Sequence, residues 1–386
     1  MNNFRFHAYT DIFFGKGQIQ NLPEILNRFG KRVLLVYGGG SIKRNGIYDQ
    51  IQELLKGFEI TELSGVEPNP RITTVRKGVE LCKEKKIDVV LPVGGGSTID
   101  CSKVIAGGAY YDGDPWDLVL DSKKIGKVLP IVTILTLAAT GSEMNKNAVI
   151  SNVELNEKLG TSSLDFIPQA SILDPEYLYT LPAIQTAAGT ADIMSHVFEN
   201  YFKTMTSAFI PDRFAEGILE ACIKYGKIAL EKPDDYEARA NLMWASTMAL
   251  NGLVGAGNGA AWSCHPIEHE LSAFYDVTHG VGLAILTPRW MRYILSENTV
   301  DRFVMYAENV WHLPASEDKF ALANQAIDLT ENFFKECGIP MTLTELGIDD
   351  SKFDIMAEKA VKNGGLHRAY VSLDKEDVIK IFKMCQ

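Results

Sequence analysis

Apolar and polar positions change their period part way along the chain. In the first part, short β-branched runs alternate with helical patterns. Lys31–Tyr37 reads as a strand ending in Gly38-Gly39-Gly40, and Tyr48–Lys56 follows with helical spacing. Phe58–Leu63 is a second strand. Ile72–Lys86 is a helix with Val75, Val79, Leu81 and Cys82 on one side. Asp88–Val93 is a third strand ending in Gly94-Gly95-Gly96, the stretch Ser97–Ala109 a helix, and Ile131–Thr133 a further strand. Nearly continuous apolar strands separated by helices predict a parallel sheet covered on both faces. Beyond Leu181-Pro182 the strand signals fade. Helical patterns cover Ile184–Phe202, Pro211–Leu230, Tyr236–Leu250, His265–Phe274, Val300–Trp311, Lys319–Cys337 and Lys352–Lys362. The predicted fold is α/β plus all-α: an α/β domain over residues 1–180 and a helical domain over residues 181–386. The glycines Gly252, Gly255, Gly257 and Gly259 would permit close backbone approach.

Composition narrows the classes. The 386 residues are 46% apolar and 23% charged, which excludes disordered, collagen-like and disulfide-stapled chains. The net charge of −11 speaks against nucleic acid and anionic membranes as general partners. The six cysteines are scattered, without paired metal-ligand spacing, and read as reduced thiols. No basic segment leading into an apolar run opens the chain, and no apolar run approaches ~20 residues, so a cytoplasmic protein is expected.

The glycine turns carry the first candidate chemistry. Glycines let a backbone approach a phosphate, and a following helix presents free N–H groups to it. The turn Gly94-Gly95-Gly96-Ser97 suits a pyrophosphate; read structurally, it is a tight turn with Ser97 or Thr98 as N-cap. Neither turn has the GxGxxG spacing, so the usual dinucleotide fingerprint is absent. Near the first turn, Ser41, Lys43 and Arg44 could accept a 2′-phosphate, or the two cations are simply solvated.

Histidines carry the second. Of seven, four lie between His196 and His279. Asp192 and His196 are spaced i, i+4 on one helix face, as are His265 and His269. Imidazole with carboxylate suits Zn²⁺ or Fe²⁺. Spacing leaves open which of His265, His269 and His279 are ligands. His265-Pro266-Ile267-Glu268-His269 also fits the H-x-x-E-H pattern of a zinc peptidase, with Glu268 activating water.

Taken together, these residues resemble the iron-containing (group III) alcohol dehydrogenase family. The matching segments are Glu67-Pro68-Asn69-Pro70, Gly94-Gly95-Gly96-Ser97 with Asp100 and Lys103, Ala139-Thr140-Gly141-Ser142-Glu143, Asp174-Pro175, Asp192 with His196, and His265 with His269 and His279-Gly280. They run in order from about Tyr9 into the last hundred residues. Tyr37-Gly38-Gly39-Gly40-Ser41 and Asp212-Arg213-Phe214-Ala215-Glu216 resemble the NADPH-dependent butanol dehydrogenases and broad aldehyde reductases within the family.

The resemblance implies a site. Asp192, His196, His265 and His279 match the metal ligands, which leaves His269 near the nicotinamide. Gly94, Gly95, Gly96 and Ser97 would cradle the pyrophosphate, with Asp100 counted in the same cofactor segment. Asn69, Thr136, Thr140, Asn147, Lys158 and Tyr177 match positions lining the cofactor cleft, and Gly38 and Ser41 the adenosine-ribose turn of NADP users. The implied reaction is reversible hydride transfer between NADP(H), or alternatively NAD(H), and a primary alcohol or aldehyde such as butanol or butanal. One Fe²⁺ or Zn²⁺ would polarise the substrate oxygen. With Asp192 as its one carboxylate, the site would be net positive. His269 would relay a proton or pack against the nicotinamide, and a homodimer is implied. A non-catalytic nucleotide sensor and a glycerol-dehydrogenase-like or dehydroquinate-synthase-like reaction are the alternatives on the same fold.

Overall fold

The computed structural model describes residues 2–204, 208–257 and 261–386; Gly259 lies outside them. The chain forms two compact units. One comprises His7–Leu181 and Pro233–Thr247, the other Met1–Phe6, Pro182–Lys232 and Met248–Gln386.

The first unit carries β1 (Asp11–Phe14), β2 (Arg32–Tyr37), β3 (Glu59–Leu63), β4 (Val89–Gly94), β5 (Val132–Leu135), β6 (Asn147–Asn152), β7 (Glu157–Ser162) and β8 (Ala170–Leu173). Six strands form one parallel sheet in the order β1-β8-β5-β4-β2-β3, while β6 and β7 pair antiparallel. Its helices include α1 (Leu22–Asn27), α2 (Ser41–Arg44), α3 (Ile47–Leu54), α4 (Ile72–Glu84), α5 (Gly96–Gly108) and α6 (Trp116–Leu120). Alternate residues of a strand point to opposite faces, and both faces are buried. Leu34, Val36 and Val90 pack with Val75, Val104 and Ile105 on one side. Val33, Leu35, Val89 and Leu91 pack with Ile25, Leu26, Ile47 and Ile51 on the other. This accounts for the continuous apolar runs read in the sequence.

From β2 the chain steps outward to β3, then returns across β2 to β4. The strand order therefore reverses between β2 and β4, and ligands of open α/β sheets favour the carboxyl ends at such a point. Both glycine turns lie there, since Tyr37 is level with Val93 in the register. The end of β5 lies beside them: Gly94 pairs with Leu135, and the Thr136 N–H donates to the Gly94 carbonyl at 3.0 Å.

The helices after Leu181 are α7 (Ala183–Tyr201), α8 (Phe209–Glu231), α9 (Tyr236–Leu250), α10 (Cys264–Tyr275), α11 (His279–Ile294), α12 (Val300–Asn309), α13 (Lys319–Glu336), α14 (Phe353–Gly364) and α15 (Lys375–Met384). Most of α9 belongs with the sheet-bearing unit, so that unit is not one continuous stretch. The Thr247 hydroxyl donates to Glu143 Oε1 at 2.5 Å, and Trp244 packs edge-on against Phe14. No described helix is long and apolar enough to cross a membrane.

Candidate functional site

Three helices of the helical unit bring the histidines together. α7 supplies Asp192, His196 and Glu199, one turn apart in succession and all buried. α10 supplies His265, Glu268 and His269, and His279 is the first residue of α11. Close packing at the start of α11 requires glycine, because a Cβ on Gly280 would overlap the Ala188 backbone of α7.

One carboxylate oxygen is common to the cluster. From Asp192 Oδ1, His196 Nδ1 lies at 3.6 Å, and His265 Nε2 and His279 Nε2 each lie at 3.8 Å. Ligand atoms about 2.0–2.2 Å from one tetrahedral ion sit roughly 3.3–3.6 Å apart, so this spacing is close to that of a coordination shell. Asp192, His265 and His279 meet a mutual proximity that would hold an ion, and the His196 ring lies 4.6 Å from that of His265. His265 Nε2 is buried and has no hydrogen-bond partner among the described residues. The donor set and this lone pair fit a divalent metal.

Outer carboxylates orient two of the rings. Glu199 Oε1 accepts from His265 Nδ1 at 3.0 Å, which turns Nε2 toward Asp192. Glu268 Oε2 bonds His279 Nδ1 and does the same for that ring. Sequence reasoning missed Glu199 altogether and gave Glu268 a different task. Asp192 is the one carboxylate among the expected ligands, while Glu199 and Glu268 stand behind the rings of His265 and His279.

The peptidase reading also falls here. It needs Glu268 open to water between His265 and His269. Instead Glu268 is fully buried and held by His279 and Ser272. His269 is partly buried, its ring 5.6 Å from that of His279. Trp262 covers the cluster, its ring 4.6 Å from that of His265.

The Gly94-Gly95-Gly96-Ser97 turn is built separately in the sheet-bearing unit. Gly95 is the N-cap of α5 and has no side chain to cap it, which corrects Ser97 or Thr98 as N-cap. The Ser97 hydroxyl donates to the Pro68 carbonyl instead. A Cβ on Gly95 would press on Leu137, and one on Gly96 on Thr140. The first α5 turn thus combines bare backbone with a positive dipole end. Both Asp100 oxygens are engaged, one by the Ser142 hydroxyl at 2.5 Å and one by the Val149 N–H at 2.9 Å. Asp100 is accordingly a strut of the turn.

Lys103 braces the same region. It is fully buried, and the three protons of its Nζ are shared among Ser142 Oγ, the Asn145 carbonyl and Oδ1, and the Asn147 carbonyl at 2.7–3.1 Å. Burial lowers its pKa to about 8, against the pull of Asp100 and Glu143. Asn69, Thr136 and Lys158 are buried, and the buried Tyr177 hydroxyl has no hydrogen-bond partner among the described residues. Thr140 lies against Gly96, and Asn147 opens β6.

At the other turn, Gly38 packs under Val66 and Ser41 opens α2, exposed. Lys43 Nζ lies 3.6 Å from Glu62 Oε2, and Glu62 also accepts from the Tyr37 and Tyr48 hydroxyls at 2.7 and 2.6 Å. Lys43 is therefore paired rather than simply solvated, and a carboxylate stands beside the turn.

Comparison with known proteins agrees with both halves. Residues 10–175 match the family model for iron-containing alcohol dehydrogenases, and residues 186–385 that for the C-terminal region of the Fe-containing alcohol dehydrogenase family. The chain belongs to the iron-containing alcohol dehydrogenase family. It is 58% identical to NADH-dependent butanol dehydrogenase A of Clostridium acetobutylicum, over 99% of each chain. It is 41% identical to the NADPH-dependent aldehyde reductase YqhD of Escherichia coli, over 94% of each. The crystal structure of NADH-dependent butanol dehydrogenase A from Thermotoga maritima superposes with a TM-score of 0.95 at 42% identity, covering 100% of this chain and 99% of that one. The protein is thus an oxidoreductase of the alcohol and aldehyde class, from a family that uses a nicotinamide cofactor and a metal.

Proposed function

We propose that the protein reversibly transfers hydride between NAD(H) and a primary alcohol or its aldehyde, with butanol and butanal as the substrate pair. The observation that carries this reading is the convergence of three imidazole nitrogens on Asp192 Oδ1 at 3.6–3.8 Å. Asp192, His196, His265 and His279 would hold one Fe²⁺ or Zn²⁺. Such an ion supplies Lewis acidity toward the substrate oxygen, and the nicotinamide supplies the hydride chemistry. Glu199 and Glu268 keep His265 and His279 in the tautomer that turns Nε2 inward. His269, beside His279, is the group assigned to relay a proton.

On the sheet-bearing unit, Gly94, Gly95, Gly96 and Ser97 receive the pyrophosphate, and Gly38 and Ser41 face the adenosine ribose. Asn69, Thr136, Thr140, Asn147, Lys158 and Tyr177 contribute to the rest of the cofactor surface. The NAD(H) preference departs from the sequence expectation of NADP(H). It is supported by Glu62, which pairs with Lys43 and would repel a 2′-phosphate while accepting from a 2′-hydroxyl. The butanol dehydrogenase from Clostridium named above is called NADH-dependent.

Anaerobic reconstitution with Fe²⁺ or Zn²⁺, followed by reduced-nicotinamide absorbance with butanal, tests the proposal. Metal-dependent oxidation faster with NADH is expected. Faster oxidation of NADPH would reinstate NADP(H), and no oxidation with either metal would refute the reaction. In the same assay, His269→Ala should shift the pH profile of turnover; an unchanged profile removes the relay.

A further inference from the structure

Two carboxylates of the helical unit stand behind the proposed ligands without belonging to them. Glu199 is 4% exposed and Glu268 is 0% exposed. Each faces the ring nitrogen of a histidine that is turned away from Asp192. Burying an ionised carboxylate costs several kcal/mol unless its oxygens are well served, so such a placement needs a reason. The two are served in different ways.

Glu199 is held by backbone. Its Oε1 accepts from the His265 N–H at 2.8 Å as well as from His265 Nδ1, and its Oε2 accepts from the Ser263 N–H at 2.7 Å. The two backbone N–H groups are fixed donors that cannot reverse their role. Glu268 is held by side chains. Its Oε2 bonds His279 Nδ1, and its Oε1 accepts from the Ser272 hydroxyl at 2.5 Å. That hydroxyl also lies 3.1 Å from the Val277 carbonyl, and its single proton serves one acceptor at a time. The Glu268 stem packs on α11, where a Cβ on Gly282 would come within 2.8 Å of Glu268 Cγ.

We propose that Glu199 and Glu268 are positioning residues, and that the negative charge of Glu268 sets how tightly the site retains a divalent cation. Glu199 anchors the start of α10 and the His265 ring as one unit. Glu268 fixes the His279 tautomer and makes that ring a stronger donor, since a carboxylate behind an imidazole raises its basicity. The inference rests on the metal reading above.

The difference in holders makes a clean test. In Glu268→Gln, the amide oxygen can accept from His279 Nδ1 while the amide nitrogen donates to Ser272 Oγ. Ser272 then turns its proton to the Val277 carbonyl. The hydrogen bonds to His279 and Ser272 survive and the charge is lost. In Glu199→Gln, by contrast, the amide would direct N–H groups at a backbone donor, so that variant reports on folding.

The experiment measures Zn²⁺ binding to the purified full chain by competition with a chromophoric chelator. Thermal unfolding of the metal-free proteins and visible spectra of the Co²⁺ forms accompany it. Glu268→Gln should bind Zn²⁺ about 10–100-fold more weakly than wild type. Its metal-free unfolding temperature and cobalt band positions should be unchanged. Ser272→Ala, which leaves both charges in place, should weaken binding by less. Equal Zn²⁺ affinity for Glu268→Gln and wild type overturns the inference and leaves the metal reading intact. Shifted cobalt bands would mean a displaced ligand and overturn the charge assignment. Wild-type protein that binds no Zn²⁺, or His265→Ala that binds as tightly, overturns the metal reading and this inference with it. If Glu268→Gln does not fold, Glu268→Asp decides: it keeps the charge but draws it back from His279 Nδ1, and affinity equal to wild type overturns the inference.

Discussion

Among single residues, Lys103 makes the sharpest energetic demand. Its ammonium is wholly buried and serves several oxygen atoms that hold the Ser142–Asn147 stretch against α5. Folding depresses its pKa from the ordinary 10.5 to about 8, desolvation being the main cause. Between those values the unfolded chain holds this proton more than the folded one does, so the lysine's own contribution to stability rises with pH across that window. That gain approaches ~1.4 kcal/mol per pH unit at most, and is lost again as pH falls toward 8. The six buried cysteines and tyrosines such as Tyr306, whose pKa burial raises, act in the opposite direction above about 9 and 10, so total stability should fall from pH 8 to pH 9.5. Lys103→Met should cost ~3–5 kcal/mol, because its acceptors stay buried without a donor. Urea unfolding of both proteins isolates the lysine: the deficit of Lys103→Met should be larger at pH 9.5 than at pH 8. An equal deficit at the two values would mean that the ammonium is better compensated than its burial implies. Residue identity also bounded what the sequence could disclose. Asp192 and His196 share a helix turn, so their pairing was legible. Glu199 lies 66 positions from the histidine it orients, and no local pattern marks that partnership.

Elements were legible where one period dominates. β2 and β4 are apolar runs between polar turns, and the structure buries them on both faces. The hairpin β6–β7 was not read, since Asn147–Ser162 mixes polar and apolar positions around an exposed turn. α11 was also missed. It is buried through most of its length and carries Pro288 and two early glycines, so it lacks an amphipathic stripe. Those glycines do the packing that the sequence concealed. Gly280→Ala should force α11 away from Ala188, costing at least ~1–3 kcal/mol, and should weaken Zn²⁺ binding by moving His279 from Asp192. Gly217→Ala is its counterpart. Gly217 is exposed inside α8, and its added methyl meets nothing within 4 Å. That change should stabilise the protein by about 0.5–1 kcal/mol and leave metal affinity untouched. Chemical denaturation and zinc titration of the two variants check both signs; an unaffected Gly280→Ala would show that α7 and α11 can separate without cost.

At the scale of the molecule, the change from strand–helix alternation to helix alone was legible, because it is a change of period. The return of Pro233–Thr247 to the sheet-bearing unit was not, because α9 reads like the helices around it and its allegiance depends on Thr247 and Trp244 finding partners far away in sequence. The proposed metal ligands are likewise spread over α7, α10 and α11, so no segment shorter than residues 192–279 could assemble them. This ties ion retention to folding. An unfolded chain offers the same side chains without the shared focus on Asp192, so binding should favour the folded state by RT ln(1 + [M]/Kd), ~4 kcal/mol at a thousandfold excess over Kd. For a chain of this size such a gain raises the unfolding temperature by several degrees. Calorimetry with and without a strong chelator should show that drop, and a stoichiometric return of Zn²⁺ should restore it. His265→Ala should unfold at the same temperature in both conditions. If chelation lowered that variant's unfolding temperature as much as wild type's, the stabilising ion would have to lie elsewhere than at Asp192.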